Sequence, residues 1–374
     1  MAAPAVKRRR RIVLVACCAL AAGAFALGVT LGDGASPSKP SVFSQLTPER
    51  LAGQRIVVGF AGAEPPPALR RLLREGRVAG VILFDENLPG RATSRRLIRG
   101  LQRIPRPAGL RDPLLVMVDQ EGGLVKRVSG APAASARAMG ARGAAYSREQ
   151  GRRTARSLRG LGINVNLAPV LDVARPGGTI AATGRGFGAT APAVAGTAVP
   201  FAAAMQEGGV AATAKHFPGM GAARENTDFA VERVDLSMRE LRRVDEAPYR
   251  RFVAAGGELV MLSSAIYPAF SPRPAAFARP IATGELRRRL GFDGVSITDA
   301  LETVAVRDFG GPARAALAAT SAGVDLLLFT DYRAGAKAQH ALARRLRRVP
   351  AARPAFELSV GRVLRLRSST GQRP

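Results

Sequence analysis

Tryptophan is absent from this chain of 374 residues, and aromatic residues make up only 5% of it. Stacking of rings on sugars or bases must therefore be sparse. Cysteine occurs only as Cys17 and Cys18, both inside an apolar N-terminal stretch. The rest of the chain has no disulfide and no thiol chemistry, which leaves export from the cell open. Histidine occurs only as His216 and His340. Two widely separated histidines do not make a metal centre, and no cofactor is expected. Lysine is confined to Lys7, Lys39, Lys126, Lys215 and Lys337, so the 56 basic residues are nearly all arginine. Against 28 acidic residues they leave a formal charge of +28. Such an arginine bias can reflect the base composition of the gene. The functional alternative is attraction to anionic surfaces, which makes anionic envelope polymers and phospholipid candidate partners. No helix-turn-helix, zinc or RNP-like pattern accompanies the charge, so nucleic acid is not an expected partner.

Hydrophobic residues reach 47%, ample for a full core. Residues 1–11 end in the basic block Lys7-Arg8-Arg9-Arg10-Arg11, and residues 12–31 form an apolar run. The basic block puts the N-terminus in the cytoplasm, and twenty apolar residues can span a bilayer. The run reads as an uncleaved membrane anchor or as a signal peptide, with Ala24-Phe25-Ala26 as a cleavage site. Leu14-Val-Ala-Cys17 matches a lipoprotein box in letters only, because few apolar residues precede it. Residues 32–42, rich in Gly, Ser and Pro, read as a linker. The expected location is extracytoplasmic, anchored or secreted. Residues 43–374 form the body.

The body repeats one theme: a short apolar run, a polar or Gly-bearing turn, then an Arg-rich amphipathic stretch. The runs are Ile56–Phe60, Gly80–Phe84, Leu114–Asp119, Val165–Val173, Ala212–Phe217, Leu259–Ser264, Val295–Asp299 and Val324–Thr330. They are continuous rather than alternating, as parallel strands buried on both faces require. Helix signals lie between them. Thr47-Pro48 sets an N-cap, Ser147-Arg-Glu-Gln150 and Ser237-Met-Arg-Glu240 read as capping boxes, and Gly256-Gly257 is a helix stop. Eight β/α units predict an α/β fold, a (β/α)8 TIM barrel, with a doubly wound open sheet as the alternative. In a barrel the chemistry gathers where the strands end. Those ends carry Asp85 and Glu86, Asp119-Gln120-Glu121, Asp172, Lys215-His216, Ser263-Ser264, Asp299, and Thr330-Asp331.

Four motifs at those ends carry a resemblance. They are Asp119-Gln-Glu-Gly-Gly123 with Lys126-Arg127, Asn166-Leu-Ala-Pro-Val-Leu-Asp172, Lys215-His-Phe-Pro-Gly219, and Gly291-Phe-Asp-Gly-Val-Ser-Ile-Thr-Asp299. In order and spacing the chain, from about Val42 to Leu364, resembles the N-terminal barrel domain of family 3 glycoside hydrolases. It is most similar to single-domain bacterial β-N-acetylhexosaminidases that trim cell-wall fragments. The resemblance implies a glycan substrate and retaining hydrolysis, with one carboxylate attacking the anomeric carbon and a second group handling the proton. It puts Asp299 at the nucleophile position. Lys215, His216, Asp119 and Arg185 fall on sugar-contacting positions. Asp172 is read as holding loops together, and Met261 as pocket floor or ordinary core.

One part of the pattern is different. Where the hexosaminidases carry Asp-Ser-His, with the histidine as acid/base, this chain has Asn226-Thr227-Asp228. Met220 and Ala300 also replace a family His and Asp. Three readings follow. Asp228 is itself the acid/base, with Glu225 on the same loop as the fallback. Alternatively, only substrates with good leaving groups are cleaved. Otherwise catalysis is lost and the barrel is a glycan-binding or scaffold protein. A Ser-His-Asp hydrolase built from Ser264, His216 and Asp119 lacks the Gly-x-Ser-x-Gly elbow.

Overall fold

The computed structural model describes residues 42–307 and 309–372. The basic segment, the apolar run at 12–31 and nearly all of the linker lie outside the described residues. Val42–Gln45 form a short 3₁₀ turn, and a compact unit begins at Leu46. Among the described residues no helix is long and apolar enough to cross a membrane.

The compact unit is built on eight parallel strands: β1 (Ile56–Val58), β2 (Gly80–Ile82), β3 (Leu115–Val118), β4 (Val165–Asn166), β5 (Ala211–Phe217), β6 (Leu259–Leu262), β7 (Val295–Thr298) and β8 (Leu327–Phe329). Each lies beside its sequence neighbours, and β8 returns to β1 with Ile56 opposite Leu327. A parallel bridge from Ile297 to Leu326 joins β7 to β8 and closes the ring. The result is the barrel rather than the open sheet. Every residue of these strands is buried, which is why the sequence shows continuous apolar runs instead of alternation.

Alternate residues still point to different sides of a strand. Leu115 and Met117, Leu259 and Met261, Val295 and Ile297, and Leu326 and Leu328 belong to one central cluster. Val363 and Leu366 of the C-terminal helix Arg353–Gln372 join that cluster. Two helices follow β8, Tyr332–Arg348 and this one.

The strand β4 is two residues long where the sequence predicts a run to Val173. Pro169 has no N–H to donate, so a regular ladder stops short of it. Two buried asparagines tie β4 to β3. Asn164 accepts from Val116 N at 2.8 Å and donates to Leu114 O at 3.0 Å. Asn166 accepts from Gln120 N at 2.9 Å and donates to Gln120 O at 3.0 Å. Their amides copy peptide groups and pin the end of β3, where Asp119 and Glu121 begin.

Helix starts follow the sequence at two of the three expected sites. Thr47 accepts from Arg50 N, and Ser237 accepts from Glu240 N. Gly256 has φ +73°, and the bonds from Gly256 N to Val253 O and Gly257 N to Phe252 O end the helix Ala247–Ala254. The Ser147 expectation is corrected. Ser147 lies inside the helix Ala136–Arg159, whose N-cap is Ser135, and its hydroxyl donates to Met139 O. The helix is interrupted at Gly143, φ +83°, so a cap-like sequence follows a kink rather than a start.

The end of the barrel where β7 and β8 begin carries a buried charge cluster. Asp325, fully buried just before β8, accepts from Arg362 at 2.8 and 3.1 Å, from Arg287, and from Ser296 N at 2.9 Å. Buried Arg55 donates to the Asp325 and Val324 carbonyls.

Candidate active site

A cavity of about 420 Å³ opens at the opposite end, where the strands finish. That is the size range of a small-ligand site. Its wall includes Asp119, Arg185, Lys215, His216, Asp228, Met261 and Asp299, so every residue singled out from the sequence as catalytic or substrate-binding meets here. Glu225 is exposed and does not line it. Asp85 and Glu86 also stay outside. Asp85 pairs with Arg127, and Glu86 accepts from Gly62 N.

The cationic wall is held by Glu121. Its carboxylate accepts from Arg185 Nε and Nη2 at 2.9 and 2.8 Å and lies 2.8 Å from Lys215 Nζ. Lys215 Nζ also reaches Asp119 at 2.6 Å. Burial alone would push the Glu121 carboxyl up, but the Lys215 ammonium and the Arg185 guanidinium outweigh it and hold it down at about 2. Burial pulls Lys215 down, yet Asp119 and Glu121 keep it above its ordinary value. Glu121, Lys215 and Arg185 are therefore fixed as charges around neutral pH. Glu121 was read from the sequence only as a strand end, and its signal was its place in the Asp-Gln-Glu-Gly-Gly motif.

His216 is held just as firmly. Its Nδ1 donates to the fully buried Asp172 at 2.8 Å, since a carboxylate can only accept. Asp172 also takes the N–H groups of His216 and Met220 at 3.1 and 2.7 Å. It does tie the loop after β5 to the end of β4. The bond at Nδ1 leaves Nε2 of His216 for the cavity. The Ser264 hydroxyl is buried without a hydrogen-bond partner, and His216 and Asp119 are paired elsewhere. A Ser-His-Asp relay has no geometry here.

Asp299 follows Thr298 at the end of β7 and accepts from Ala300 N at 2.8 Å. Burial raises its pKa. The His216 charge opposes that, and the carboxylate of Asp228 pushes the same way as burial. Asp228 comes from the loop after β5. Its carboxylate accepts from Asn226 Nδ2 at 3.1 Å, and its N–H donates to Asn226 Oδ1 at 3.1 Å. That loop rests on the loop after β7, through Val304 N to Asp228 O at 3.3 Å and Ala305 N to Thr227 O at 3.4 Å. Asp228 lines the cavity without any movement of the loop.

Three more wall residues were not singled out. Phe84, two residues past β2, lies beneath the Arg127 guanidinium, 5.9 Å from its ring centre. Arg127 was visible in its motif. Glu302 accepts from Thr330 N and Asp331 N at 3.1 and 3.2 Å, and burial raises its pKa. No sequence signal marked it.

Comparison with known proteins bears on this arrangement. The profile of the glycosyl hydrolase family 3 N terminal domain matches residues 50–366. An uncharacterised secreted glycosyl hydrolase of Arthroderma benhamiae is 40% identical over 285 residues, 74% of this chain and 80% of that one. A β-hexosaminidase of Pseudomonas aeruginosa is 33% identical over 288 residues, 76% of this chain and 84% of the relative. The solved structure of a family 3 β-N-acetylglucosaminidase from Paenibacillus superposes with a TM-score of 0.81 at 36% identity. The match covers 87% of this chain and 63% of that one.

Proposed function

Because the chain belongs to glycosyl hydrolase family 3, a family of glycosidases, we propose that it is a retaining β-N-acetylhexosaminidase-like enzyme with Asp299 as nucleophile and Asp228 as acid/base. One observation carries the reading: two carboxylates from different strand ends, coupled through their charges, share a cavity with a fixed Lys, Arg and His.

Asp299 attacks the anomeric carbon as the bond to the leaving oxygen breaks, and Asp228 gives that oxygen its proton. A water then gives its proton to Asp228 and attacks the same carbon, which frees Asp299 and restores the starting state. Lys215, His216 Nε2, Arg185 and Asp119 bind sugar hydroxyls, and Met261 forms part of the floor. A site built from fixed charges is pre-organised for charge developing at the anomeric centre. The secreted relative and the apolar N-terminal run support a place outside the cytoplasm, with envelope glycans as the substrate class.

A second reading also has an observation behind it. Asn226 occupies a lone pair of Asp228, and the side chain is one atom shorter than Glu, so a glycan-binding barrel without turnover fits the same walls. Release of 4-nitrophenol from its β-N-acetylglucosaminide separates the two. Turnover by the parent, lost in Asp299→Ala and slowed in Asp228→Ala, with the slowing reaching about 10²–10⁴-fold on the poorer leaving group of N,N′-diacetylchitobiose, supports the enzyme. No release by the parent leaves the binding protein.

A further inference from the structure

We propose that the closed end of the barrel, opposite the cavity, is a docking face for an anionic phospholipid surface.

The helix Arg353–Gln372 lies across that end. Arg362 reaches Asp325 just before β8 at 2.8 Å, and Arg367 donates to Leu110 O and Pro113 O just before β3, at 2.9 and 3.0 Å. One side of the helix is buried through Phe356, Val360 and Val363. The other side presents Leu358, 68% exposed, and the exposed Arg365 two turns along the same stripe. Val349, which ends the helix Tyr332–Arg348, is exposed as well.

The helices that return to this end finish in arginine. Arg74, Arg99, Arg103, Arg111, Arg345 and Arg348 lie in their last turns or in the loops that lead to the strands, and all are exposed. Among the described residues none of the six takes part in an ion pair. The acids of this sector are already engaged. Glu49, Glu75 and Glu357 pair with Arg347, Arg77 and Arg353, and the Asp112 charge faces Arg106 and Arg367.

Two general causes of such charge do not account for the pattern. Helix dipoles favour cations in last turns and acids in first turns. The helices Pro67–Arg74, Arg91–Gln102, Ala136–Arg159 and Tyr332–Arg348 have no acid in the first turn. Base composition sets the number of arginines, not where the acids collect. Exposed acids gather on the loops at the cavity end, at Asp85, Glu86, Glu225, Asp228 and Asp235. The barrel is therefore electrically polarised along its axis, and an anionic bilayer attracts one end and repels the other. An exposed leucine among arginines suits the headgroup layer. The chain also enters at the closed end, where Leu46 O accepts from Arg353 at 3.2 Å. The apolar run at 12–31 lies one short linker upstream in the sequence, so a membrane tether at that run favours this end for contact.

Because tryptophan is absent, a single indole can report on each end. Full-length Leu358→Trp and Phe229→Trp, the latter at the cavity end, are added to vesicles of brominated phosphatidylcholine with or without phosphatidylglycerol. Bromine quenches an indole that enters the bilayer. Leu358→Trp is expected to be quenched and blue-shifted on the phosphatidylglycerol vesicles. Most of that quenching should be lost on neutral vesicles, at raised salt, and when Arg74→Glu, Arg103→Glu and Arg348→Glu are combined with it. Three equal reversals at the cavity end, Arg142→Glu, Arg273→Glu and Arg314→Glu, should leave it unchanged, and Phe229→Trp should stay unquenched throughout. The apolar run and the basic block are common to every variant, so the differences report the face. Melting curves check both triple variants, and Gln at the same three closed-end positions replaces Glu should the reversal unfold the protein. Equal quenching at 358 and 229, quenching independent of phosphatidylglycerol, or a closed-end triple that behaves as the parent overturns the docking face. A blue shift of Leu358→Trp with soluble polyphosphate but no quenching on vesicles assigns the face to an anionic polymer and overturns the membrane. No readout depends on turnover, so failure of the enzyme reading leaves the test intact.

Discussion

Asp299 carries a raised pKa because burial disfavours its charge and Asp228 adds a like charge, while His216 and Lys215 oppose both. In the proposed role of nucleophile Asp299 must be ionised, so kcat/KM is expected to fall on the acid side as it takes up a proton. Lys215 opposes that rise, so in Lys215→Met the acid limb is expected at higher pH than in the parent, read from pH profiles on 4-nitrophenyl substrates. Glu121→Gln keeps the shape and removes the charge that holds Arg185 and Lys215. Activity should drop at least tenfold, with KM rising, and the pH dependence of stability changes as well. The folded carboxyl sits at about 2, below its unfolded value. Its stabilising contribution is thus present above the ordinary Glu range and lost as pH falls toward 2. Acid unfolding of the variant should lack that component. At this scale the sequence reading was strong for residues inside motifs and weak elsewhere. Asp299 and Lys215 sit in recognisable strings. Glu302 reaches the wall by burial and by two backbone donors that no local pattern announces.

The elements were legible wherever one physical rule dominated. Buried parallel strands must be apolar throughout, and all eight runs became strands of one ring. Their lengths were not legible, because a ladder also depends on which residues can donate. Pro169 ended the regular ladder of β4 early, while main-chain bonds such as Leu171 N to Lys215 O still tie the segment to β5. Asn166→Ala should cost about 1–3 kcal/mol, since it leaves the Gln120 peptide N–H and C=O buried without those partners. Thermal unfolding would measure it, and activity should fall as Asp119 and Glu121 lose their anchor. Ser147 shows the converse problem. A capping sequence within a helix is indistinguishable by letters from one at its start, and the difference lay in Gly143.

Across the whole molecule, stability and chemistry occupy opposite ends of the barrel, as the fold favours. Asp325 is surrounded by Arg287, Arg362 and Arg55. Burial would raise its pKa, but the Arg287 and Arg362 charges lower it. Asp325→Ala leaves buried cations unpaired and should destabilise the protein by about 3–5 kcal/mol, read by denaturant titration. Measured under conditions where it remains folded, the variant should keep the parent KM.

The loop that brings Asp228 to the cavity is fastened to its neighbour through main-chain atoms, Asp228 O and Thr227 O, which every amino acid possesses. Those two attachments are indifferent to its lettering, and an Asp at 226 can accept the residue 228 N–H as Asn226 does. The segment behaves as an exchangeable cartridge: new side chains can be tried at 226–228 on an unchanged mount. Rewriting Asn226-Thr227-Asp228 as Asp-Ser-His should leave the melting temperature within a few degrees of the parent while altering the chemistry performed. A lineage holding such a mount can revise its proton donor without rebuilding its barrel.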